Sequence, residues 1–174
     1  MVELKEYIMA VKTVFTNEEI QHIFANYNLG DYINSKPISE GTVQTNYKVQ
    51  TTRGFFVFRY YENRKKDSVL FETNLLNYLK KNNFPCPLPY KNSTGSFVGI
   101  HNFKPFAVYK YIEGNHIEEP NEEQRRIVIQ KAAELHKITQ NYSPIHKESR
   151  WNYGVQFCQE QAQIASKRIN SLNS

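Results

Sequence analysis

Alternating apolar and polar positions predict five short strands in the first two thirds of the chain. They cover residues 32–39, 42–51, 55–61, 97–101 and 106–112. The turn at 52–54 joins two of them as a hairpin, which favours an antiparallel meander. An amphipathic helix is predicted over 17–27, with Thr16 as its N-cap, and another runs from an N-cap at Asp67 or Ser68 to about Lys81.

The pattern becomes helical after Gly114. Ile127, Ala132, Leu135 and Ile138 recur at helical spacing, so we predict a helix over 121–140 and a further helix from 155 onward. The predicted fold class is therefore α+β. A sheet-rich lobe with a five-stranded antiparallel sheet occupies 1–112, a linker 113–120, and the beginning of a helical lobe 121–174.

Two charged residues interrupt otherwise apolar segments. Arg59 has the strand parity of Phe55 and Val57, and the opposite face is also apolar, while Glu72 lies on the leucine-rich face of the second helix. A buried charge is costly unless it is paired. We therefore predict a largely buried, bidentate ion pair between Arg59 and Glu72, against the alternative of a surface pair at the end of the strand.

Composition sets limits on the number of domains and on the partner. The chain has 174 residues, 40% of them hydrophobic, which is enough for one domain, or for one domain and part of another. Its net charge of +5 is compatible with an anionic partner. The basic run at 64–66 is interpreted as a solvated turn. The sequence lacks metal-ligand spacing, and no apolar run approaches the roughly 20 residues of a membrane span. Cys86 and Cys158, far apart, fit reduced thiols in the cytoplasm.

Several stretches resemble one known superfamily. They are "MAVKTVFTNEEIQHIFANYNLG", "SEGTVQTNYKVQTTRGFFVFRYYE", "FPCPLPYKNSTG", "FAVYKYIEG" and "AAELHKIT". With the order of elements, they resemble the aminoglycoside phosphotransferase and type II homoserine kinase superfamily, which has a protein-kinase-like fold. The most specific element is Gly-x-x-x-Thr-Asn-Tyr at 41–47. The resemblance implies transfer of the γ-phosphoryl group of ATP to a hydroxyl of a small molecule, homoserine in the most similar branch.

The resemblance also implies a nucleotide site. The turn at 39–46 would cover the phosphates, Arg59 would replace the usual lysine and pair with Glu72, and the hinge at 111–114 would meet adenine. The implied ATP-binding residues are Ser39, Gly41, Thr45, Asn46, Val57, Arg59, Glu72, Tyr111, Ile112 and Glu113. Ile38, Val57 and Tyr109 are candidate walls, although Tyr109 and Tyr111 equally fit ordinary strand aromatics. His136 matches a family Leu-His pair but is more typical of packing. The implied partners are a nucleotide and a small hydroxyl substrate, with no nucleic acid and no membrane.

The chain departs from the family pattern in its carboxylates. Its two aspartates, Asp31 and Asp67, both precede the hinge, so no residue matches the catalytic-loop Asp and Asn or the Mg²⁺-binding Asp. We therefore predict no catalytic residue and no metal ligand, and expect Mg²⁺ only when a complete C-lobe is supplied. Three hypotheses remain: the N-terminal portion of a small-molecule kinase, inactive alone; a non-catalytic nucleotide-binding or protein-interaction module; and an RNA-binding protein.

Overall fold

A computed structural model describes residues 12–39, 43–115, 117–147 and 154–172. The helices are α1 (Asn17–Phe24), α2 (Lys66–Lys81), α3 (Glu122–Thr139) and α4 (Val155–Leu172). The strands are β1 (Tyr32–Pro37), β2 (Thr45–Thr51), β3 (Gly54–Tyr60), β4 (Gly99–His101) and β5 (Lys104–Lys110). The predicted helices and strands are thus all present in this part of the chain, and the α+β fold is confirmed. The N-cap predicted for α2 at Asp67 or Ser68 is wrong, because the helix begins at Lys66, and its N-cap, Lys65, makes no capping bond with its side chain.

The five strands form one antiparallel sheet in the order β1-β2-β3-β5-β4. The register places Asn46 of β2 and Ala107 of β5 on either side of Arg59. β3 is therefore the central strand, and its side chains lie between those of β2 and β5. This position brings Arg59 next to Asn46, the second residue of β2, just after the turn between β1 and β2.

The first helix is shorter than the prediction. Thr16 and Glu19 form the capping box at its start, but α1 ends at Phe24 and not at Tyr27. The amide groups of Asn26 and Tyr27 donate to carbonyls three residues back, so the chain tightens into a turn after Phe24. Tyr27 is still buried in the core. The helix was therefore predicted too long because Tyr27, although not helical, is apolar and buried.

The sheet carries apolar clusters on both faces. On one face Phe56, Phe58 and Tyr60 of β3 pack with Ile20 and Phe24 of α1. On the other face Tyr61, Ala107 and Tyr109 pack with Val69 of α2. Because successive strand residues point to opposite faces, the alternation along β3 and β5 supplies both clusters. Arg59 belongs to the face that carries α2.

The helical segment after the sheet contacts it sparsely. The predicted capping box of Asn121 and Gln124 is formed, but α3 has no buried residue. The Tyr78 hydroxyl of α2 donates to the Ile138 carbonyl at 3.0 Å, and the rings of Tyr78 and Tyr142 lie 4.5 Å apart. These contacts attach the end of α3 to α2. Among the described residues, no helix has the length and apolar character needed to cross a membrane.

Candidate functional site

The charged residues of β3 and α2 meet in one cluster. Arg59 Nη1 lies 3.6 Å from Glu72 Oε1, and Arg64 Nη1 lies 2.8 Å from Glu72 Oε2. The Tyr61 hydroxyl donates to Glu72 Oε1 at 3.0 Å. The predicted contact between Arg59 and Glu72 is therefore confirmed, but the bidentate geometry is wrong. One carboxylate is shared by two guanidinium groups and a phenol.

The burial predicted for this pair is also wrong for Arg59. Its side chain is 39% exposed, and that of Glu72 is 23% exposed. The cause lies in the placement of α2, which packs mainly against β5 and therefore covers β3 only in part. Phe55, on the same side of β3, is 41% exposed. Arg59 is thus anchored by Glu72 while part of its guanidinium faces open space.

Arg64 belongs to the cluster, which corrects the interpretation of 64–66 as a solvated turn. Lys65 and Lys66 are exposed, whereas Arg64 is partly buried and bonded to Glu72. Arg64 lies just before α2, and its guanidinium reaches Glu72 in the second turn of that helix. No helical or strand periodicity covers this segment, so sequence reasoning had no signal that assigned a direction to Arg64.

Two buried tyrosines lie beneath the charged cluster. The hydroxyls of Tyr61 and Tyr109 are 2.7 Å apart, and the Arg59 guanidinium carbon lies 5.6 Å from the centroid of the Tyr109 ring. Burial is the main reason that the pKa of each phenol is raised well above its ordinary value, and the nearby Glu72 carboxylate raises the pKa of both further. Both phenols are therefore neutral hydrogen-bonding groups at neutral pH. Tyr109 is a core residue, in agreement with its interpretation as an ordinary strand aromatic.

The start of β2 is bonded to Arg59. Asn46 Oδ1 accepts a hydrogen bond from Arg59 Nε at 2.9 Å, and the Asn46 carbonyl accepts one from the Ile38 amide at 2.8 Å. Thr45 is buried, and its hydroxyl donates to Glu62. Ser39 is exposed, and Gly41 lies outside the described residues. The structure thus brings Thr45 and Asn46 together with Arg59 and Glu72.

The predicted hinge follows β5 on the same face. The Tyr111 amide donates to the Phe55 carbonyl at 3.2 Å, while Ile112 and Glu113 are exposed. Lys48 Nζ lies 4.0 Å from the centroid of the Tyr111 ring and 4.5 Å from that of Phe55.

A shallow cavity occurs near the hinge. Its volume is about 190 Å³, and it is lined by Asn34, Lys36, Lys48, Gln50 and Phe55. Val57 is partly buried between this cavity and Arg59. A second cavity, of about 310 Å³, lies between the 25–28 turn and the 91–93 turn, and none of the predicted site residues lines it.

The cluster has the chemistry of an anion site. Two guanidinium groups against one carboxylate leave a net positive charge, and among the described residues Arg59 Nη2 makes no hydrogen bond. A planar guanidinium with unused donors suits phosphate oxygens.

The residues do not form a metal site: within the described ranges, no group of three or more His, Cys, Asp or Glu side chains is placed to hold an ion. His136 is exposed on α3, so its interpretation as a packing residue is not borne out within the described residues.

Comparisons with known proteins agree with the resemblance. A model of the phosphotransferase enzyme family matches residues 34–168. A homoserine kinase of Sinorhizobium fredii is 30% identical over 136 residues, which make up 78% of this chain and 42% of that protein. A homoserine kinase of Methylorubrum populi is 30% identical over 159 residues, or 89% of this chain and 49% of that protein. The chain therefore spans less than half the length of these relatives.

Solved structures show the same fold. An amicoumacin kinase in complex with AMP-PNP and Ca²⁺ aligns with a TM-score of 0.65 at 12% identity, over 80% of this chain and 45% of that one. A microcompartment-associated aminopropanol kinase aligns with a TM-score of 0.61 at 15% identity, again over 80% and 45%. The five-stranded sheet with its helices is thus the N-lobe of a kinase-like fold.

Proposed function

Because this chain belongs to the phosphotransferase enzyme family, we propose that it is the ATP-binding portion of a small-molecule kinase. In the complete protein, the γ-phosphoryl group of ATP is transferred to a substrate hydroxyl, and homoserine is the proposed acceptor because homoserine kinases are among the relatives. With ATP as the donor, the proposed location is the cytoplasm.

One observation carries the proposal. Arg59 is held from two sides, by Glu72 and by Asn46, yet keeps its outer nitrogen available. A guanidinium restrained in this way loses little conformational entropy when it binds a phosphate oxygen. The segment 39–46 ends beside Arg59, at Thr45 and Asn46 of β2, so backbone amide groups of this segment are proposed to contact the remaining phosphate oxygens.

The adenine end of the site is proposed at the hinge. Val57 offers an apolar surface on the same side of β3 as Arg59, and Ile112 and Glu113, which follow β5, are exposed. Tyr111, Ile112 and Glu113 are the proposed hinge contacts, with Ile38 as an apolar wall. The hinge bonds to Phe55 near the start of β3, and Arg59 lies near the end of the same strand. The proposed nucleotide therefore lies along β3, with its base near Phe55 and its phosphates near Arg59.

Phosphoryl transfer needs more than these residues supply. A base that orients the acceptor and carboxylates that hold Mg²⁺ normally stabilise the transferred charge. Neither aspartate of this sequence lies after the hinge. We therefore propose that binding of the nucleotide resides in this chain, whereas Mg²⁺ and acceptor binding need the remaining part of the kinase fold.

A second candidate function is a non-catalytic nucleotide-binding or protein-interaction module. The specific observation in its favour is α3, where Ile127, Val128 and Ile129 are all exposed. Exposed aliphatic side chains in one helix are typical of a surface that another protein segment covers. A chain that is monomeric and unfolds in one cooperative transition would favour this second candidate.

The proposed function is tested with ATP binding by the 174-residue chain. Affinity is measured for the unchanged protein, for Arg59→Ala and for Arg53→Ala, a matched control in the 52–54 turn whose guanidinium bonds to Asn28. We expect weak binding, on the order of millimolar, that falls about tenfold in Arg59→Ala and is unchanged in Arg53→Ala. Equal affinities in the two variants would contradict the site.

A further inference from the structure

Glu62, just after β3, is the most enclosed carboxylate near the candidate site. Its side chain is 4% exposed. Glu62 Oε1 accepts hydrogen bonds from the Thr13 amide at 2.7 Å and from the Thr45 hydroxyl at 2.7 Å. Glu62 Oε2 accepts from the Thr13 hydroxyl at 3.0 Å and from Lys104 Nζ at 2.7 Å. Both oxygens of a buried carboxylate are therefore saturated.

The donors come from three separate parts of the chain. Thr13 precedes α1, Thr45 opens β2, and Lys104 opens β5. Burial alone would raise the pKa of Glu62, but the hydrogen bonds from Lys104, Thr45 and Thr13 outweigh it and hold this pKa below its ordinary value. Glu62 is thus charged at neutral pH, and it fixes the relative positions of these three segments.

A second path leads from the Glu62 backbone to Arg59. The Glu62 amide donates to Gln44 Oε1 at 2.8 Å, and the Gln44 carbonyl accepts from Asn46 Nδ2 at 3.2 Å. Asn46 Oδ1 in turn accepts from Arg59 Nε at 2.9 Å. The residues on both sides of Thr45 are therefore held by bonds that start at Glu62 and end at the guanidinium.

We propose that Glu62 is a positioning residue for nucleotide phosphates: its side chain fixes the start of β2 at Thr45, directly before Asn46, which bonds to Arg59. Glu62 itself touches no ligand, and it acts through the Thr45 hydroxyl. This inference rests on the proposed function, because only a bound nucleotide would bring phosphates to this segment. It predicts that losing the Glu62–Thr45 bond weakens contacts to phosphates and leaves contacts to the base unchanged.

The experiment separates phosphate contacts from base contacts. Affinities of the 174-residue chain for ATP and for adenosine are measured in the unchanged protein, in Glu62→Gln and in Thr45→Val. Thr45→Val has nearly the same shape as the natural residue but removes the hydroxyl that donates to Glu62. We expect ATP affinity to fall about tenfold in Glu62→Gln and about threefold or more in Thr45→Val, with adenosine affinity within about twofold of the unchanged protein.

Lys104→Met is the matched control. It removes the ion pair with Glu62 and leaves the bond to Thr45, so ATP affinity should change less than in Thr45→Val. A thermal unfolding midpoint reports whether each variant is folded. If Glu62→Gln does not fold, Thr45→Val alone decides the inference, since it leaves the bonds from Thr13 and Lys104 in place.

Unchanged ATP affinity in Thr45→Val would overturn the inference. An equal loss of ATP and adenosine binding in this variant would also overturn it, because such a loss indicates general destabilisation. In either case, a loss of ATP binding in Arg59→Ala would leave the proposed function standing. If the unchanged protein binds no ATP at all, the proposed function fails first and the role of Glu62 fails with it. A selective loss of ATP binding in both Glu62→Gln and Thr45→Val supports the inference.

Discussion

Arg64 forms the shortest ion pair of the cluster with Glu72, since its Nη1 lies 2.8 Å from Glu72 Oε2, compared with 3.6 Å between Arg59 Nη1 and Glu72 Oε1. The Arg64 guanidinium carbon also lies 5.7 Å from the centroid of the Tyr61 ring. Glu72 is therefore held mainly by Arg64 and Tyr61. The carboxylate that anchors Arg59 is in place without depending on Arg59 itself.

Replacing Arg64 by alanine should weaken ATP binding. The change removes one of the two cations that give the cluster its net positive charge, and it frees Glu72 to neutralise Arg59 more closely. We expect ATP affinity to fall about threefold to tenfold, while stability changes by less than about 1 kcal/mol because Arg64 is partly exposed. Titration with ATP at two salt concentrations measures the affinity of Arg64→Ala. Lys65→Ala, an exposed neighbour, is the control and should bind as the unchanged chain does.

The buried phenols predict a loss of stability at alkaline pH. Because burial raises the pKa of Tyr61 and Tyr109 in the folded state, their contribution to stability is complete below the ordinary tyrosine pKa of about 10 and is lost as pH rises above it. The free energy of unfolding should therefore decline from about pH 10 upward. Denaturant titrations at several pH values measure this, and the double variant Tyr61→Phe, Tyr109→Phe should decline less steeply. An equal decline in that variant would assign the effect to other groups.

Periodicity was sufficient for most of the fold and for part of the site. The alternation along β3 and the helical spacing of α2 predicted that Arg59 and Glu72 would meet, because both periods assign side chains to faces. How far α2 extends over the sheet is a matter of tertiary packing, so the exposure of Arg59 was not predictable. Arg64 and Glu62 act from irregular segments after β3, where no period assigns a direction to a side chain.

Gly99 is predicted to tolerate no side chain. A Cβ atom added at Gly99 would overlap the ring of Phe106, its partner across β4 and β5, whereas one added at Gly114 meets nothing. We expect Gly99→Ala to lower the free energy of unfolding by about 1–3 kcal/mol and Gly114→Ala to leave it within about 0.5 kcal/mol. Denaturant unfolding compares the two variants. Equal stability of both would mean that Phe106 moves aside without cost.

The 174-residue chain alone should transfer no phosphate to homoserine, choline or an aminoglycoside. Loss of groups that stabilise the transferred charge costs several kcal/mol each, and each 1.36 kcal/mol is about tenfold in rate. Coupled detection of ADP measures turnover. Supplying the remaining lobe from a homoserine kinase, fused or in trans, should give activity that falls in Arg59→Ala. Turnover by the isolated, contaminant-free chain would contradict the assignment of chemistry to the other lobe.

The most direct test of the central claim is a map of amide chemical-shift changes when ATP is added to the isotope-labelled chain. We expect the largest changes at residues 43–46, where the turn leads into β2, at Val57 and Arg59, and at the hinge residues 111–113. Adenosine alone should change the hinge more than residues 43–46. Changes concentrated instead around the 25–28 and 91–93 turns, which line the larger cavity, would contradict a nucleotide site at Arg59.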